Sequence, residues 1–157
     1  MTKQTKGTHE YQDDPRNATI RIDINGELFA REEARVSVFD SGFVLGDGIW
    51  EGLRVHHGKV AFLDLHLDRL YEGAKALDMD MEVTPQQLRE RIYRVLEENA
   101  MHEGVHIRLM VSRGIKATPY QDPRITITPP TIVIIPEYKE ALPETAHKGI
   151  RLFTVHV

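Results

Sequence analysis

Apolar and polar residues alternate along Ala18–Ile24, the period of a half-buried strand. Asn25-Gly26 follows, a dipeptide that tolerates positive φ at both positions and closes a two-residue hairpin; Glu27–Ala30 is the returning strand. Arg35–Phe39 reads as a further short extended piece and Asp40-Ser41-Gly42 as a turn. Gly48–His56 alternates again, His57-Gly58 turns the chain, and Lys59–Phe62 is its partner. The period then changes. Leu63, Leu67, Leu70, Tyr71, Ala74 and Leu77 fall at helical spacing, which predicts a helix over Leu63–Leu77. A second helix opens at Thr84-Pro85-Gln86-Gln87, a capping box with proline at the first helical position. It buries Leu88, Ile92, Val95 and Leu96 and ends between Asn99 and Gly104. Val105–Ser112 is a strand and Gly114–Pro123 a loop, after which the β-branched runs Arg124–Thr128 and Thr131–Ile135 flank Pro129-Pro130.

Strands, then two helices, then strands predict an α+β domain: an antiparallel sheet with two helices packed on one side. A doubly wound parallel sheet needs a regular β-α-β alternation, which is absent. The polar residues 1–17 read as a flexible arm. Residues 18–135 are the domain, and 136–145, polar and carrying Pro136 and Pro143, an interdomain linker. Residues 146–157 begin something new, since Gly149–Val157 alternates as a strand does.

The bulk composition narrows the function classes. A net charge of −4 without a basic patch gives no reason to expect nucleic acid as a partner. The absence of cysteine removes disulfides, thiolate metal sites and cysteine nucleophiles, and fits a reducing compartment such as the cytoplasm. No apolar run has membrane-spanning length, and the N-terminus carries no secretory h-region. The eight histidines show no metal-ligand spacing. Neither a GxSxG elbow nor a GxxxxGK loop occurs.

Three patterns point to anion chemistry. On the strand Gly48–His56, Trp50, Gly52 and Arg54 share a face, opposite Ile49, Leu53 and Val55, with Glu51 among the latter. A large aromatic, a missing side chain and a cation make a ligand wall with a carboxylate-binding arginine, or a solvated face with a snorkelling one; on pattern alone the solvated face is the commoner outcome. Val105–Val111 repeats the arrangement with His106, Arg108 and Met110 opposite an apolar row. Arg108 can clamp a carboxylate bidentately or pair with a surface acid. In the first helix His66, Arg69 and Gly73 line one face, so Arg69 can hold a phosphate or pair with Asp68 or Glu72.

VFDSGFVLGDGIWEGLRVHHGKVAFLDLHLDRLYEGAKAL (Val38–Leu77), followed in order by VHIRLMVSRG and VIIPEYKE, resembles the class IV (fold-type IV) pyridoxal-phosphate-dependent aminotransferases. The likeness runs from about Ile20 to Val157 and rests on the combination of these segments. It implies the small N-terminal domain of that fold, followed by the first strand of a truncated large domain. It implies that Arg69 binds the phosphate of pyridoxal 5'-phosphate. Trp50, Arg54, Arg108, His106 and Phe43 form the implied substrate-binding set, with Arg108 taking a carboxylate. Gly52, Arg54 and Arg108 resemble the branched-chain amino-acid subgroup.

Two departures bear on the substrate. Branched-chain enzymes usually have Phe where this chain has Trp50 and Tyr where it has His106. The Arg-x-His trap of D-amino-acid aminotransferases is missing, its matching positions being Thr118 and Tyr120.

The implied reaction is transamination between a branched-chain or similar amino acid and a keto acid such as 2-oxoglutarate, in a homodimer or higher oligomer. The lysine that carries the cofactor as a Schiff base is expected beyond Val157, so no catalytic residue is assigned within this chain and 1–157 alone is expected to be inactive. A D-amino-acid or (R)-amine transaminase, an aminodeoxychorismate lyase of the same fold, and a non-catalytic binding or oligomerisation module remain as alternatives.

Overall fold

Among the described residues six strands form one sheet in the order β2-β1-β6-β5-β3-β4, every neighbouring pair antiparallel. In chain order they are β1 (Arg21–Ile24), β2 (Glu27–Ala30), β3 (Gly48–His56), β4 (Lys59–Val60), β5 (Val105–Ser112) and β6 (Thr131–Tyr138). The helices are α1 (Ser41–Leu45), α2 (Leu63–Ala76) and α3 (Pro85–Glu98). The structure is a computed structural model and describes residues 13–140, His147, Gly149 and residues 152–155.

The alternation in β3 and β5 decides the layering. Leu53 and Val55 on β3, and Val105, Ile107, Leu109 and Val111 on β5, are buried. They join one core with Leu67, Leu70 and Ala74 of α2 and Leu88, Ile92, Val95 and Leu96 of α3. Each large apolar side chain buried this way contributes roughly 1.5–3 kcal/mol. The sheet carries the two long helices on one face, as the α+β pattern predicts. The capping box forms as the sequence indicates: Thr84 Oγ1 accepts from Gln87 N at 3.2 Å and Gln87 Oε1 accepts from Thr84 N at 2.8 Å. Asn25 and Gly26 hold the β1–β2 turn at φ 52° and 92°.

Several boundaries differ from the sequence reading. Ala18 and Thr19 belong to a 3-10 turn, Pro15–Thr19, because Asp14 caps it by accepting from Arg16 N; β1 therefore starts at Arg21. Part of the expected flexible arm is tied down: Asn17 Oδ1 accepts from Tyr138 N at 2.7 Å and its Nδ2 donates to Tyr138 O at 3.0 Å. Residues 1–12 lie outside the described residues. Arg35–Phe39 forms no strand, having no strand beside it among the described residues with which to form a ladder; Phe39 O accepts from Lys116 N instead. Asp40-Ser41-Gly42 is the start of α1, with Asp40 as its cap. The partner of β3 is only two residues long. Pro123–Ile125 is a 3-10 turn capped by Asp122, leaving only a bridge at Thr126 from the run Arg124–Thr128.

β6 runs to Tyr138, three residues into the interval read as linker, because Pro136, Glu137 and Tyr138 find partners in Ile107, His106 and Val105. Residues 141–145 of that interval lie outside the described residues. Residues 150, 151, 156 and 157 of the strand expected over Gly149–Val157 do too; Leu152–Val155 within it is exposed and has no regular structure.

A single carboxylate ties the first hairpin to α3. Asp23 is fully buried and accepts from Arg94 Nη2 at 2.7 Å and from Arg91 Nη2. A buried carboxylate left unpaired would be strongly destabilising, and the two guanidinium groups compensate it.

Candidate functional site

The sheet face opposite α2 and α3 gathers four of the residues singled out in the sequence. Register alone does this: β3 and β5 pair Trp50 with Met110, Gly52 with Arg108 and Arg54 with His106. Trp50 is 62% exposed although its neighbours Glu51 and Leu53 are buried, as strand alternation requires. The guanidinium carbon of Arg108 lies 4.1 Å from the centroid of the Trp50 ring, a cation–π stack. Gly52 leaves room for the His106 ring. A Cβ at that position would stand 3.1 Å from His106 Nε2 and 4.0 Å from Trp50 Cζ3. A guanidinium over a ring face keeps N–H donors free, so Arg108 can still contact a planar anion.

Arg54 is partly committed: its Nη1 donates to Lys139 O. His106 sits among cations. Burial first, then the charges of Arg54, Lys139 and Arg108, push its imidazole down to about 4. At neutral pH it is an uncharged donor–acceptor beside the arginines.

Arg69 lies on the other face. Glu51, only 3% exposed, points toward α2 and accepts from Arg69 Nε at 2.7 Å and Nη2 at 2.6 Å, and it pairs with His66 Nδ1 at 2.8 Å. The partner of Arg69 is thus neither Asp68 nor Glu72. The Arg69 guanidinium, followed by the weaker help of His66, outweighs burial and holds the Glu51 carboxyl below the usual carboxylate range. The Arg69 side chain is nevertheless 70% exposed. Its Nη1 nitrogen has no partner among the described residues and can still bind an anion.

The two arginine groups flank an open edge. β4 pairs only with Val55 and His56, and Ala61 N adds a bond to Arg54 O, so among the described residues Gly48–Leu53 of β3 has no strand beside it on the side away from β5. A ligand lying along this edge has Trp50 above the sheet plane and Glu51-bound Arg69 below it. Phe43, 72% exposed on α1, is at the Gly48 end of that edge, because Asp40, the cap of α1, accepts from Ser112 Oγ at 2.8 Å and Ser112 faces Gly48. Thr118 and Tyr120 lie on the exposed loop after β5.

Sequence reasoning missed the role of Glu51. The available signal was a carboxylate in an apolar row, which demands a cation from the element packed over it. It also missed Lys116, almost fully buried, whose ammonium donates to Asp122 O at 2.9 Å and holds the loop together. A concavity of about 590 Å³ beside Tyr71, Met79 and Met81 includes none of the expected site residues.

Comparison with known proteins adds the family. The family model for amino-transferase class IV matches residues 48–156. Branched-chain-amino-acid aminotransferase-like protein 1 of Arabidopsis thaliana is 41% identical over 125 residues, covering 80% of this chain and 22% of the plant protein. A D-alanine aminotransferase of Listeria monocytogenes is 33% identical over 110 residues, covering 70% and 36%. The chain thus spans well under half the length of these relatives. Among solved structures, a T.th. branched-chain amino acid aminotransferase complexed with N-(5'-phosphopyridoxyl)-L-glutamate superposes with a TM-score of 0.65 and 26% identity, covering 78% of this chain and 41% of that one. The antiparallel sheet with its two long helices, the paired β3 and β5 faces and the extent of the family match agree, and the chain belongs to the class IV aminotransferase family.

Proposed function

We propose that the complete protein carrying this chain exchanges an amino group between an amino acid of the branched-chain type, or one similar, and a keto acid such as 2-oxoglutarate, with pyridoxal 5'-phosphate as cofactor. This chain supplies the small domain. One observation supports the reading: arginines stand on opposite faces of the sheet at β3, Arg108 stacked on Trp50 on one and Arg69 bound to Glu51 on the other. That placement of cations suits a molecule with a phosphate at one end and a carboxylate at the other.

The residues present fit the cofactor. A phosphate dianion matches the unshared donors of Arg69. When bound, pyridoxal phosphate supplies the electron sink that amino-group transfer needs. Arg69 binds the phosphate oxygens. Trp50 and Phe43 wall the substrate side and exclude water. Arg108, with the donors that Arg54 has left, binds carboxylate, and the uncharged His106 donates or accepts a hydrogen bond without adding a third charge. Assembly of copies belongs to the same reading, supported by the exposed apolar side chains Trp50, Phe43, Phe62 and Leu65. So does a cytoplasmic location; no helix among the described residues is long and apolar enough to cross a membrane.

The test is an amino-donor panel on the complete protein, with L-leucine, L-valine, D-alanine and an (R)-amine, each against 2-oxoglutarate and pyruvate. Turnover of the branched L-amino acids supports the reading. Turnover of D-alanine but not L-leucine overturns the substrate class, and no turnover of any donor overturns the reaction.

A further inference from the structure

We propose that Glu51 is a positioning residue, which fixes the guanidinium of Arg69 so that its free edge faces a phosphate group. This rests on the reading of Arg69 as the phosphate-binding arginine. Strand alternation turns Glu51 toward α2, beside the buried Leu53 and Val55. A carboxylate there must be paired to be tolerated. It is paired at both oxygens: Oε1 takes Arg69 Nε at 2.7 Å, and Oε2 takes Arg69 Nη2 at 2.6 Å and His66 Nδ1 at 2.8 Å.

Two parallel bonds to a planar fork fix both the position and the plane of the guanidinium. What remains is the Nη1 edge, on a side chain that is 70% exposed. The frame behind it is stiff. β3 is laddered to β5 along eight residue pairs. Gly73, one helical turn beyond Arg69, brings α2 against Ile49, whose Cγ2 would be 3.4 Å from a Cβ at that position.

A purely structural cross-link between strand and helix is the competing account. It gives no reason for the cation to stand in solvent with unused donors. The two accounts also differ in sign. The Glu51 charge repels a phosphate bound next to it, so removing that charge tightens phosphate binding if electrostatic repulsion is its only influence. If Glu51 orients Arg69, removing the charge weakens phosphate binding.

The experiment compares pyridoxal 5'-phosphate with phosphate-free pyridoxal by equilibrium dialysis, using the complete protein and its Glu51→Gln, Glu51→Asp and Arg69→Ala variants. Glu51→Gln keeps the shape but loses the charge that orders the fork. It is expected to weaken pyridoxal phosphate about tenfold while pyridoxal stays within about twofold, the size of one charge-assisted hydrogen bond. Glu51→Asp keeps the charge and loses the reach; it is expected to weaken pyridoxal phosphate selectively too, and it carries the test alone if Glu51→Gln fails to fold. Equal weakening of both ligands, or unchanged or tighter pyridoxal phosphate, overturns the proposal while Arg69→Ala still abolishes the preference for the phosphorylated form. If Arg69→Ala keeps that preference, the reading of Arg69 itself falls, and the proposal with it.

Discussion

His106 should make the fold acid-sensitive in a window set by its surroundings. The imidazole is half-buried between strands, with Arg54 across on β3, Arg108 two residues along β5, and Lys139 at the end of β6. Glu137 is its register partner on β6, but that carboxylate is engaged by Arg31 at 3.2 Å. In the folded chain the group is held at about 4, against 6.5 ordinarily. Above pH 6.5 both folded and unfolded chains carry it neutral, and it has no effect. As pH falls below 6.5 the unfolded chain takes up a proton that the folded chain refuses until about 4, so stability is lost across that interval. At about 1.4 kcal/mol per tenfold the full effect is at most about 3.5 kcal/mol, and water access and salt screening reduce it to about 1–2 kcal/mol. Urea unfolding of the chain and of His106→Gln, at about pH 7.5 and about pH 4.5, isolates the histidine from the carboxylates that titrate in both. The variant should gain about 1–2 kcal/mol on the parent between the two pH values. Parallel losses, or a His106 ring-proton titration with its midpoint at 6.5 or above, would refute the reasoning.

Other changes have distinct expected outcomes. Asp23→Ala strands Arg91 and Arg94 against the sheet and should cost about 3–5 kcal/mol in urea unfolding. Gly48→Ala puts a Cβ 2.7 Å from the Val111 carbonyl oxygen, a backbone atom that cannot step aside, and should destabilise by about 1–3 kcal/mol. Gly52→Ala crowds only the movable end of His106 and comes into ordinary contact with Trp50, so it should leave the melting temperature nearly unchanged while shifting the tryptophan fluorescence. Residues 1–157 alone should turn over no amino donor, and any product above a no-protein control would contradict that.

Periodicity carried the fold because the decisive rows are strongly patterned. Both faces of β3 and β5, the stripe of α3 and its capping box follow from spacing within one element. The grouping of Trp50, Arg54, Arg108 and His106 needed one thing more, the β3–β5 register, which local sequence does not specify. The failures are of one kind. Arg35–Phe39 has the residues of a strand and, among the described residues, no strand beside it. Arg69 invited a partner from its own helix, Asp68 or Glu72, whereas its partner is eighteen residues earlier on a strand. Asp14, Asp40 and Asp122 each cap a helix or turn of at most five residues, too short a signal for periodicity to register.

The Asp23 clamp has a kinetic side. Among the described residues β1 and β2 form a two-stranded ribbon with just two ladder pairs to β6, Asp23 with Ile134 and Ile24 with Val133, beside the bonds of the turn residue Asn25 to Ile132. A ribbon so thinly laddered would ordinarily fray on its own. Because its central carboxylate is bound to two arginines of α3, the ribbon cannot lift without uncovering a charge, and the hairpin and the helix become one unit of opening. The amide protons of the ribbon should therefore exchange together with those of α3 rather than ahead of them.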